Sequence, residues 1–546
     1  MRTFFKSTNN FLIKLPIKNR VIILLTVLLF LNVSSMWRAT ETYDERFHIA
    51  YGKRILQIKS DKNGNEGIMP FSCINILPQK IGELLNNVFE SNKVTHFFYS
   101  LNSKRLITIL FSLLLAIYVF RWSNELYGVT AGIFSLILYI FEPNMIAHSG
   151  LVTLDLFSAC MTTLSTYYFW RFVKIQTPQN AAVSAALLGV SQLTKFTCAF
   201  LYPIYAFIIL IKCSKDLFNL IKIRNYKGLL NHLNSFLKYS LFFVLVGLII
   251  INIGFLFNRT FTPFGEYKFQ SSSFKTIQSQ FSFLKHIPVP IPYPYLDSLD
   301  LHKFHEETGG HQHGLEYLFG RLHDKGGFKG YYFYAFLYKV PIAIQFFILW
   351  SIINYILKYK TFMLFDNEIF IFCPIIFYTL YLNFILSMDI GIRNSILVFP
   401  FLIVFCGSFF KNWTFFNLRL KTVIITLIAY LIISVLSYYP HYLSYFNELV
   451  WDRKMAYKIL ADSNLDWGQS GWYLDKYIKE HPGIKYSPEF PVAGRVVVGV
   501  NGLVGLNNPE EFKWLRDNFK PIDHIAYSYL IYDISLEDLE RIKNSQ

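Results

Sequence analysis

The chain contains repeated runs of apolar residues that are long enough, or nearly long enough, to cross a lipid bilayer. A helix rises about 1.5 Å per residue, so a span needs roughly 20 apolar residues. Hydrophobic residues make up 53% of the sequence and aromatic residues 18%, which excludes an ordinary soluble protein. We predict a mainly α polytopic membrane protein with about eleven transmembrane helices. These begin near Val21, Leu106, Gly128, Leu151, Ala181, Phe196, Tyr239, Tyr331, Ile369, Ser395 and Thr422.

Lys and Arg residues are concentrated in alternate connections between the apolar runs. A net charge of +16 raises the question of a nucleic-acid partner, but the placement of the charge argues against one. If the N-terminus is cytoplasmic, the short inner segments carry 19 positive residues, whereas the short outer turns carry only Lys195 and Arg393. Cytoplasmic connections are enriched in Lys and Arg. We therefore predict a multi-pass protein with a cytoplasmic N-terminus.

This orientation places four segments together on the extracytoplasmic side: the loops 37–105 and 258–330, the turn before Asp155, and residues 440–546. The last segment alternates helix-like stretches (469–481, 509–519 and 536–543) with strand-like stretches (495–500 and 522–529). We predict two units, a membrane-embedded unit of residues 1–439 and a small extracytoplasmic α/β domain of residues 440–546.

Acidic residues stand at the outer ends of two predicted spans. Asp44 and Glu45 lie just beyond the first apolar run and open an interfacial helix, in which Phe47, Tyr51 and Ile55 form an apolar stripe. Asp155 opens the fourth span. Such residues either cap helix N-termini or line a water-filled cavity where chemistry takes place. Two acidic sites on one face favour chemistry more than either site alone.

Several cations on the same face are candidates for binding a phosphate group: Arg46, Arg54, Lys195 and Arg393. Arg393 is the best placed of them, in the polar turn 388–394 between two spans. Arginine suits bidentate phosphate contacts, although an arginine at a membrane boundary also extends toward lipid headgroups. Both interpretations remain open at this point.

Histidines are concentrated in one outer loop, where five of the 13 occur within a short stretch: His302, His305, His311, His313 and His323. No motif with a known metal geometry is present. A solvated polar loop is the simpler interpretation, and a divalent metal is the alternative.

Together, the motifs resemble the dolichyl- or polyprenyl-phosphate-mannose protein mannosyltransferases, in the bacterial branch of the type C membrane glycosyltransferases. The resemblance runs from about residue 37 to about residue 534. Each piece alone is weak, and their combination is specific. The matching pieces are Asp44-Glu45-x-x-His48, residues 142–149 leading to Thr153-x-Asp155, residues 193–197, Tyr332-Phe333, residues 337–341, Gly391-x-Arg393, residues 445–449, and the tail motif of residues 462–469.

Two features depart from this family pattern. Bacterial relatives often carry a His-Pro-Pro-Leu element in the first outer loop, where this chain has Met69-Pro70-Phe71-Ser72. The loop 258–330 is also too short for the β-trefoil domain that eukaryotic relatives insert there. Acceptor recognition therefore has to differ from that of the eukaryotic enzymes.

The resemblance implies a type C glycosyltransferase fold and transfer of mannose or a similar hexose from a polyprenyl-phosphate sugar to an acceptor hydroxyl. Transfer would occur outside the bacterial inner membrane, with inversion, and a protein Ser or Thr is the favoured acceptor. The implied roles are a base for Asp44, acceptor orientation for Glu45 and site support for Asp155, with donor phosphate binding by Arg393, Lys195 and Arg46. His48, Asp466 and Gln469 are acceptor-binding or structural, and Asp466 also suits a helix cap.

Two alternative functions stay open from the sequence. In the first alternative, the donor chemistry is the same but the acceptor is a glycolipid or glycan, as in the similar lipid A aminoarabinose transferases. A lipid or solute transporter is the alternative from another class. Against a transporter, the spans contain few charges, and the two halves of the chain lack matching helices broken by Gly or Pro.

Overall fold

The computed structural model describes residues 15–57, 68–88, 93–223, 225–308, 315–324, 326–358 and 363–545, which are mainly helical. The helices in the first half are α1 (Ile17–Met36), α2 (Glu45–Leu56), α3 (Leu77–Val88), α4 (Lys93–Tyr99), α5 (Leu101–Tyr127), α6 (Val129–Ile140), α7 (Pro143–Ser149), α8 (Asp155–Lys174), α9 (Pro178–Ser191), α10 (Leu201–Lys222) and α11 (Tyr226–Gly254).

The helices in the second half are α12 (Ser272–Gln280), α13 (Tyr293–Glu307), α14 (Tyr331–Lys339), α15 (Ile342–Leu357), α16 (Ile369–Leu380), α17 (Phe399–Cys406), α18 (Leu418–Leu436), α19 (Gly471–Glu480), α20 (Val500–Leu503), α21 (Lys513–Asn518) and α22 (Leu536–Ser545). The strands are β1 (Glu316–Leu318), β2 (Arg321–His323), β3 (Lys485–Tyr486), β4 (Gly494–Gly499), β5 (Asp523–Ile525) and β6 (Tyr529–Ile534). Short 3-10 helices connect many of these elements, including Pro70–Ile76, Phe196–Phe200 and Ile392–Val398.

Among the described residues, 6 helices are long and apolar enough to cross a membrane, or up to 8 if each bent pair of helices is one span. The bent pairs are α6 with α7, at 64°, and α14 with α15, at 115°. The predicted count of eleven is therefore not confirmed. The predicted span at Leu151 corresponds to α8, which carries three charged residues, and the one at Ala181 corresponds to α9, which has 14 residues.

The helical core is built around α5, on which α1, α6 and α8 pack. Apolar residues of α5 such as Leu115, Val119 and Trp122 are fully buried in this core. Helix α8 contributes buried hydroxyl residues, and Thr163 donates a hydrogen bond to its own helix at Ala159 O, 2.7 Å away. Small hydroxyl residues that are satisfied within their own helix allow neighbouring helices to approach closely.

The tail contains both helices and strands, as the sequence pattern predicts. Its sheet has the order β3-β4-β6-β5, in which β4 pairs antiparallel with β6 and parallel with β3. Alternate residues of a strand point to opposite faces. Val496 and Val498 accordingly pack into the same hydrophobic core as the membrane helices, whereas Val497 packs beside Leu474 of α19. The boundary between residues 439 and 440 remains a prediction.

Candidate active site

Asp44 stands directly before α2, at the position where a helix cap is expected, but its side chain caps no backbone N–H. Its Oδ2 atom instead accepts a hydrogen bond from Arg393 Nη1 at 2.6 Å, in an ion pair whose side chains are 27% and 15% exposed. The two residues are 349 positions apart in the sequence. The charge of Asp44 is therefore directed into a shared, partly open site.

Arg393 lies in the turn that the sequence analysis singles out. Gly391 adopts a φ of +110°, and a Cβ there would collide with Ser463 Oγ, so the close approach of the two segments requires glycine. The Arg393 guanidinium lies over the Trp467 ring, 4.3 Å from its centroid. Within the part of the chain that the structure describes, the buried Arg393 Nε has no hydrogen-bond partner. The guanidinium thus keeps one buried N–H group that no described residue satisfies.

A second ion pair stands beside the first. Lys195 Nζ donates hydrogen bonds to Asp155 Oδ1 and to Asn394 Oδ1, both at 2.8 Å. Asp155 is the first residue of α8, and Asn394 directly follows Arg393. Asn394 Nδ2 in turn donates to the Tyr332 hydroxyl at 3.1 Å. The structure therefore brings Asp44, Asp155, Lys195 and Arg393 together.

His48 lies on the next turn of α2 after Asp44, and its Nδ1 is 3.1 Å from Ser72 Oγ. Burial lowers the pKa of His48 below its ordinary value, although the nearby charges of Asp44 and Asp155 act in the opposite direction. A neutral imidazole at pH 7 adds a polar surface to the site without adding a charge. Burial also raises the pKa of Asp462, close to Arg393, to about 6.

Glu45 is placed differently from the role that the resemblance implies. Its side chain and that of Arg105 are both 0% exposed, and Arg105 Nη2 donates to Glu45 Oε2 at 2.6 Å. The Glu45 carboxylate also accepts hydrogen bonds from the backbone N–H groups of Thr42 and Val152, each at 2.8 Å. Both oxygens are thus bound inside the protein, and this geometry gives no contact with an acceptor.

Arg46, Asp466 and Gln469 lie outside the four-residue cluster. Arg46 is on the exposed face of α2, with its guanidinium 4.5 Å from the centroid of the Tyr43 ring. Asp466 Oδ1 accepts from Gly468 N at 3.0 Å, and because α19 begins only at Gly471, Asp466 does not cap that helix. Burial raises the pKa of Asp466 to about 6. Gln469 Nε2 donates to Leu465 O at 2.9 Å and so closes the same loop.

Among the described residues, no group of three or more His, Cys, Asp or Glu side chains has the geometry to hold a metal ion. His311 and His313 of the histidine-rich loop lie outside the described residues. Two carboxylates, Glu316 and Asp389, do approach one another, since Glu316 Oε1 accepts from Asp389 N at 2.9 Å. Burial, followed by the charge of Asp389, raises the pKa of Glu316 to about 8.

The sequence gives no role to Arg105 or Asn394, and it leaves Trp467 as one of several tail residues that bind the acceptor or only build the tail structure. Arg105 partners Glu45, Asn394 joins the two ion pairs, and Trp467 lies under Arg393. Asn394 directly follows a selected arginine, and Trp467 lies inside the tail motif, so both had a signal in the sequence. Arg105, at the start of a span, looked like an ordinary boundary cation.

Comparison with known proteins gives one family match and several distant structural likenesses. The family model described as dolichyl-phosphate-mannose-protein mannosyltransferase matches residues 92–224. A search of curated proteins found no match. ArnT from Cupriavidus metallidurans bound to undecaprenyl phosphate is 11% identical, with a TM-score of 0.42, over 94% of this chain and 97% of that chain.

The apo oligosaccharyltransferase of Archaeoglobus fulgidus is 13% identical, with a TM-score of 0.44, over 88% of this chain. The alignment spans 62% of that protein and 62% of the apo form of ArnT. Likeness at this level does not identify a shared activity. The family model agrees with the resemblance that the motifs predict: over residues 92–224 the chain is similar to the dolichyl-phosphate-mannose-protein mannosyltransferases.

Proposed function

We propose that this protein transfers mannose or a similar hexose from a polyprenyl-phosphate sugar to an acceptor hydroxyl, with inversion at the anomeric carbon. The observation that carries the proposal is that two ion pairs, Asp44 with Arg393 and Asp155 with Lys195, lie side by side. Asn394 connects them, because it accepts a hydrogen bond from Lys195 and directly follows Arg393 in the chain. A base and two cations in one partly open site match the needs of a reaction in which a hydroxyl is deprotonated and a phosphate leaves.

In the proposed reaction, Asp44 accepts the proton of the acceptor hydroxyl, and the oxygen of that hydroxyl forms a bond to the anomeric carbon. The bond between that carbon and the phosphate oxygen breaks, and the electron pair departs with the lipid phosphate. Arg393 and Lys195 stabilise the charge that develops there. Attack from the side opposite the phosphate inverts the anomeric carbon.

The remaining residues of the site have supporting roles in this proposal. Asp155 and Asn394 hold the ammonium group of Lys195 from two directions, which fixes its position toward the phosphate. Glu45 does not face the acceptor in our proposal. Its ion pair with Arg105 links the start of α2 to α5, and so fixes the position of the backbone next to Asp44.

For the surroundings of the reaction, we propose a cytoplasmic N-terminus, a site on the extracytoplasmic side of a bacterial inner membrane, and a protein Ser or Thr as acceptor. The lipid tail of the donor then stays in the bilayer while its phosphate reaches Arg393. The excess of Lys and Arg in the predicted inner connections supports the orientation. A glycolipid or glycan hydroxyl is the second acceptor, because it uses the same donor chemistry.

The test uses purified protein in lipid nanodiscs with a radiolabelled polyprenyl-phosphate mannose, and either a Ser/Thr-containing peptide or a glycolipid as acceptor. We expect label to move to one acceptor, and Asp44→Asn to slow the transfer by roughly 10²-fold to 10⁴-fold, the usual contribution of a general base. Glu41→Gln is the matched control, since Glu41 is an exposed carboxylate on the same loop. Near wild-type transfer by Asp44→Asn would remove Asp44 as the base. Donor consumption without any acceptor product would contradict the transferase proposal.

A further inference from the structure

The tail motif forms a bracket across the candidate site, and we infer that this tail bracket (residues 462–471) positions both the base and the phosphate-binding arginine. The inference rests on the proposed function for its effect on catalysis. Asp44 and Arg393 belong to segments that are far apart in the sequence and join different helices. Asp44 directly precedes α2, and Arg393 lies in the 3-10 helix Ile392–Val398, so contacts between these two segments are needed to fix their relative position.

One half of the tail bracket holds the turn that carries Arg393. Asn464 Oδ1 accepts a hydrogen bond from Ile392 N at 3.0 Å, and Ser463 Oγ donates to Ile390 O. These contacts fix the backbone on both sides of Gly391. Asn464 is fully buried, and its Nδ2 donates to the Tyr331 hydroxyl at 2.8 Å.

The other half of the tail bracket holds the segment before Asp44. Tyr43 N donates to Trp467 O, and Thr40 N donates to Gln469 O, each at 3.0 Å. The Thr40 hydroxyl donates to Gly468 O at 2.5 Å and accepts from Gly471 N at 2.9 Å. Both ends of the segment 40–43 are thus hydrogen-bonded to residues 467–471. Asp44 is the next residue in the chain.

Trp467 joins the two halves. Its carbonyl oxygen accepts the Tyr43 N–H, while its ring lies 4.3 Å from the Arg393 guanidinium. The tail bracket is itself fastened to the membrane helices, because the buried Lys339 Nζ of α14 donates to Asn464 O and to Leu443 O, both at 2.6 Å. One residue of the tail therefore contacts the segments of both charged groups.

Catalysis is sensitive to such contacts because a displacement of about 1 Å between reacting groups costs roughly 10²-fold in rate. The Trp467 ring limits where the Arg393 side chain can lie, and the backbone contacts limit where Asp44 can lie. These tail residues are positioning residues, since they act through Asp44 and Arg393.

The first experiment measures kcat and KM with polyprenyl-phosphate mannose in nanodiscs. We expect Trp467→Leu to lower kcat by about 10-fold to 100-fold, and Trp467→Phe, which keeps an aromatic face under Arg393, to recover most of the loss. Trp472→Leu is the matched control, because Trp472 also lies under an arginine, Arg38, away from the ion pairs. We expect it to stay within about twofold of wild type. A wild-type kcat in Trp467→Leu, or an equal loss in Trp472→Leu, would overturn the inference.

The second experiment does not depend on sugar transfer. Hydrogen exchange of peptides covering residues 388–394 is compared in wild type and Asn464→Ala, with Ser463→Ala as the milder variant if the first does not fold. Asn464→Ala removes the acceptor of the Ile392 N–H, so we expect exchange in this turn to be about threefold to tenfold faster, with helix α5 unchanged. Unchanged exchange in the turn would overturn the inference. If wild type transfers no sugar while the turn still loosens, the proposed function fails and the structural role of the tail bracket stands.

Discussion

Asp44 and Glu45 are neighbours in the sequence, and each forms an ion pair with an arginine, yet the two pairs differ in almost every other respect. The Glu45–Arg105 pair is closed to solvent, and all of its contacts are within the protein. The Asp44–Arg393 pair is partly exposed, and one buried nitrogen of Arg393 has no partner among the described residues. One pair has no capacity for a ligand, and the other does.

This contrast shows how a functional site can be recognised among many ion pairs. A buried charge has to be matched by internal partners because its desolvation is costly, so a fully satisfied pair indicates a structural role. A pair that keeps an unused donor in a partly open position is the stronger candidate for function. The Asp44–Arg393 pair meets this second description.

The largest expected effect comes from breaking the buried Glu45–Arg105 ion pair. Glu45→Ala leaves the Arg105 charge buried without its partner, so we expect a loss of about 3 to 5 kcal/mol in the free energy of unfolding. Asp44→Ala is the neighbouring comparison and should cost about 1 kcal/mol or less, because its pair is partly exposed. Thermal unfolding in detergent, followed by intrinsic fluorescence, measures both. Equal losses of stability would contradict the distinction between the two pairs.

A smaller effect sharpens the assignment of the open pair. Arg393→Lys keeps the charge but loses the planar, multidentate guanidinium, so we expect KM for polyprenyl-phosphate mannose to rise by about tenfold. Arg46→Lys is the comparison, because Arg46 lies on exposed aromatic rings, and its KM should change by less than about twofold. An equal rise in KM for Arg46→Lys would restore Arg46 to the phosphate site, as the resemblance implies.

The smallest expected effect concerns Glu316 and Asp389, two acidic residues that lie close together. Burial raises the pKa of Asp389 to about 7. Burial and the nearby charge of Asp389 raise the pKa of Glu316 to about 8. In the unfolded chain both groups titrate near about 4. The folded protein therefore binds more protons between about pH 4 and pH 8, and these groups make its stability fall as the pH rises through that window.

Glu316→Gln removes one of these titrations while its Oε1 can still accept the Asp389 N–H. We expect the decrease in Tm between pH 5.5 and pH 8.5 to be smaller in this variant than in wild type by about 1 to 3 °C. The comparison is made at one detergent concentration and one ionic strength. An unchanged pH dependence in Glu316→Gln would show that Glu316 does not titrate in this window.

The membrane class and helical content follow from the sequence, because apolar runs long enough to cross a bilayer predict membrane helices. The number of spans does not, since a run of apolar residues carries no information about where a helix bends. The 64° break at Phe141 and Glu142 and the 115° break at Val340 and Pro341 each interrupt a pair of apolar helices. Proline at the start of the second helix in one pair, and just before it in the other, was the available signal.

The grouping of the site residues could be anticipated, but their individual roles could not. The positive-inside pattern and the motifs place Asp44, Asp155, Lys195 and Arg393 on one face, and the structure brings them together. The pattern treats Asp44 and Glu45 as equivalent, because both are acids at a helix start. Only the three-dimensional packing, which places Arg105 beside Glu45, separates them.

Under the proposed function, the contact between Asp44 and Arg393 sets the order in which donor and acceptor bind. While Arg393 Nη1 is hydrogen-bonded to Asp44 Oδ2, that oxygen is occupied and is not available to an acceptor hydroxyl. In the proposed reaction, an incoming lipid phosphate competes for the same guanidinium and thereby frees the carboxylate. The proposed function therefore predicts ordered binding, in which the lipid-phosphate sugar binds before the acceptor alcohol.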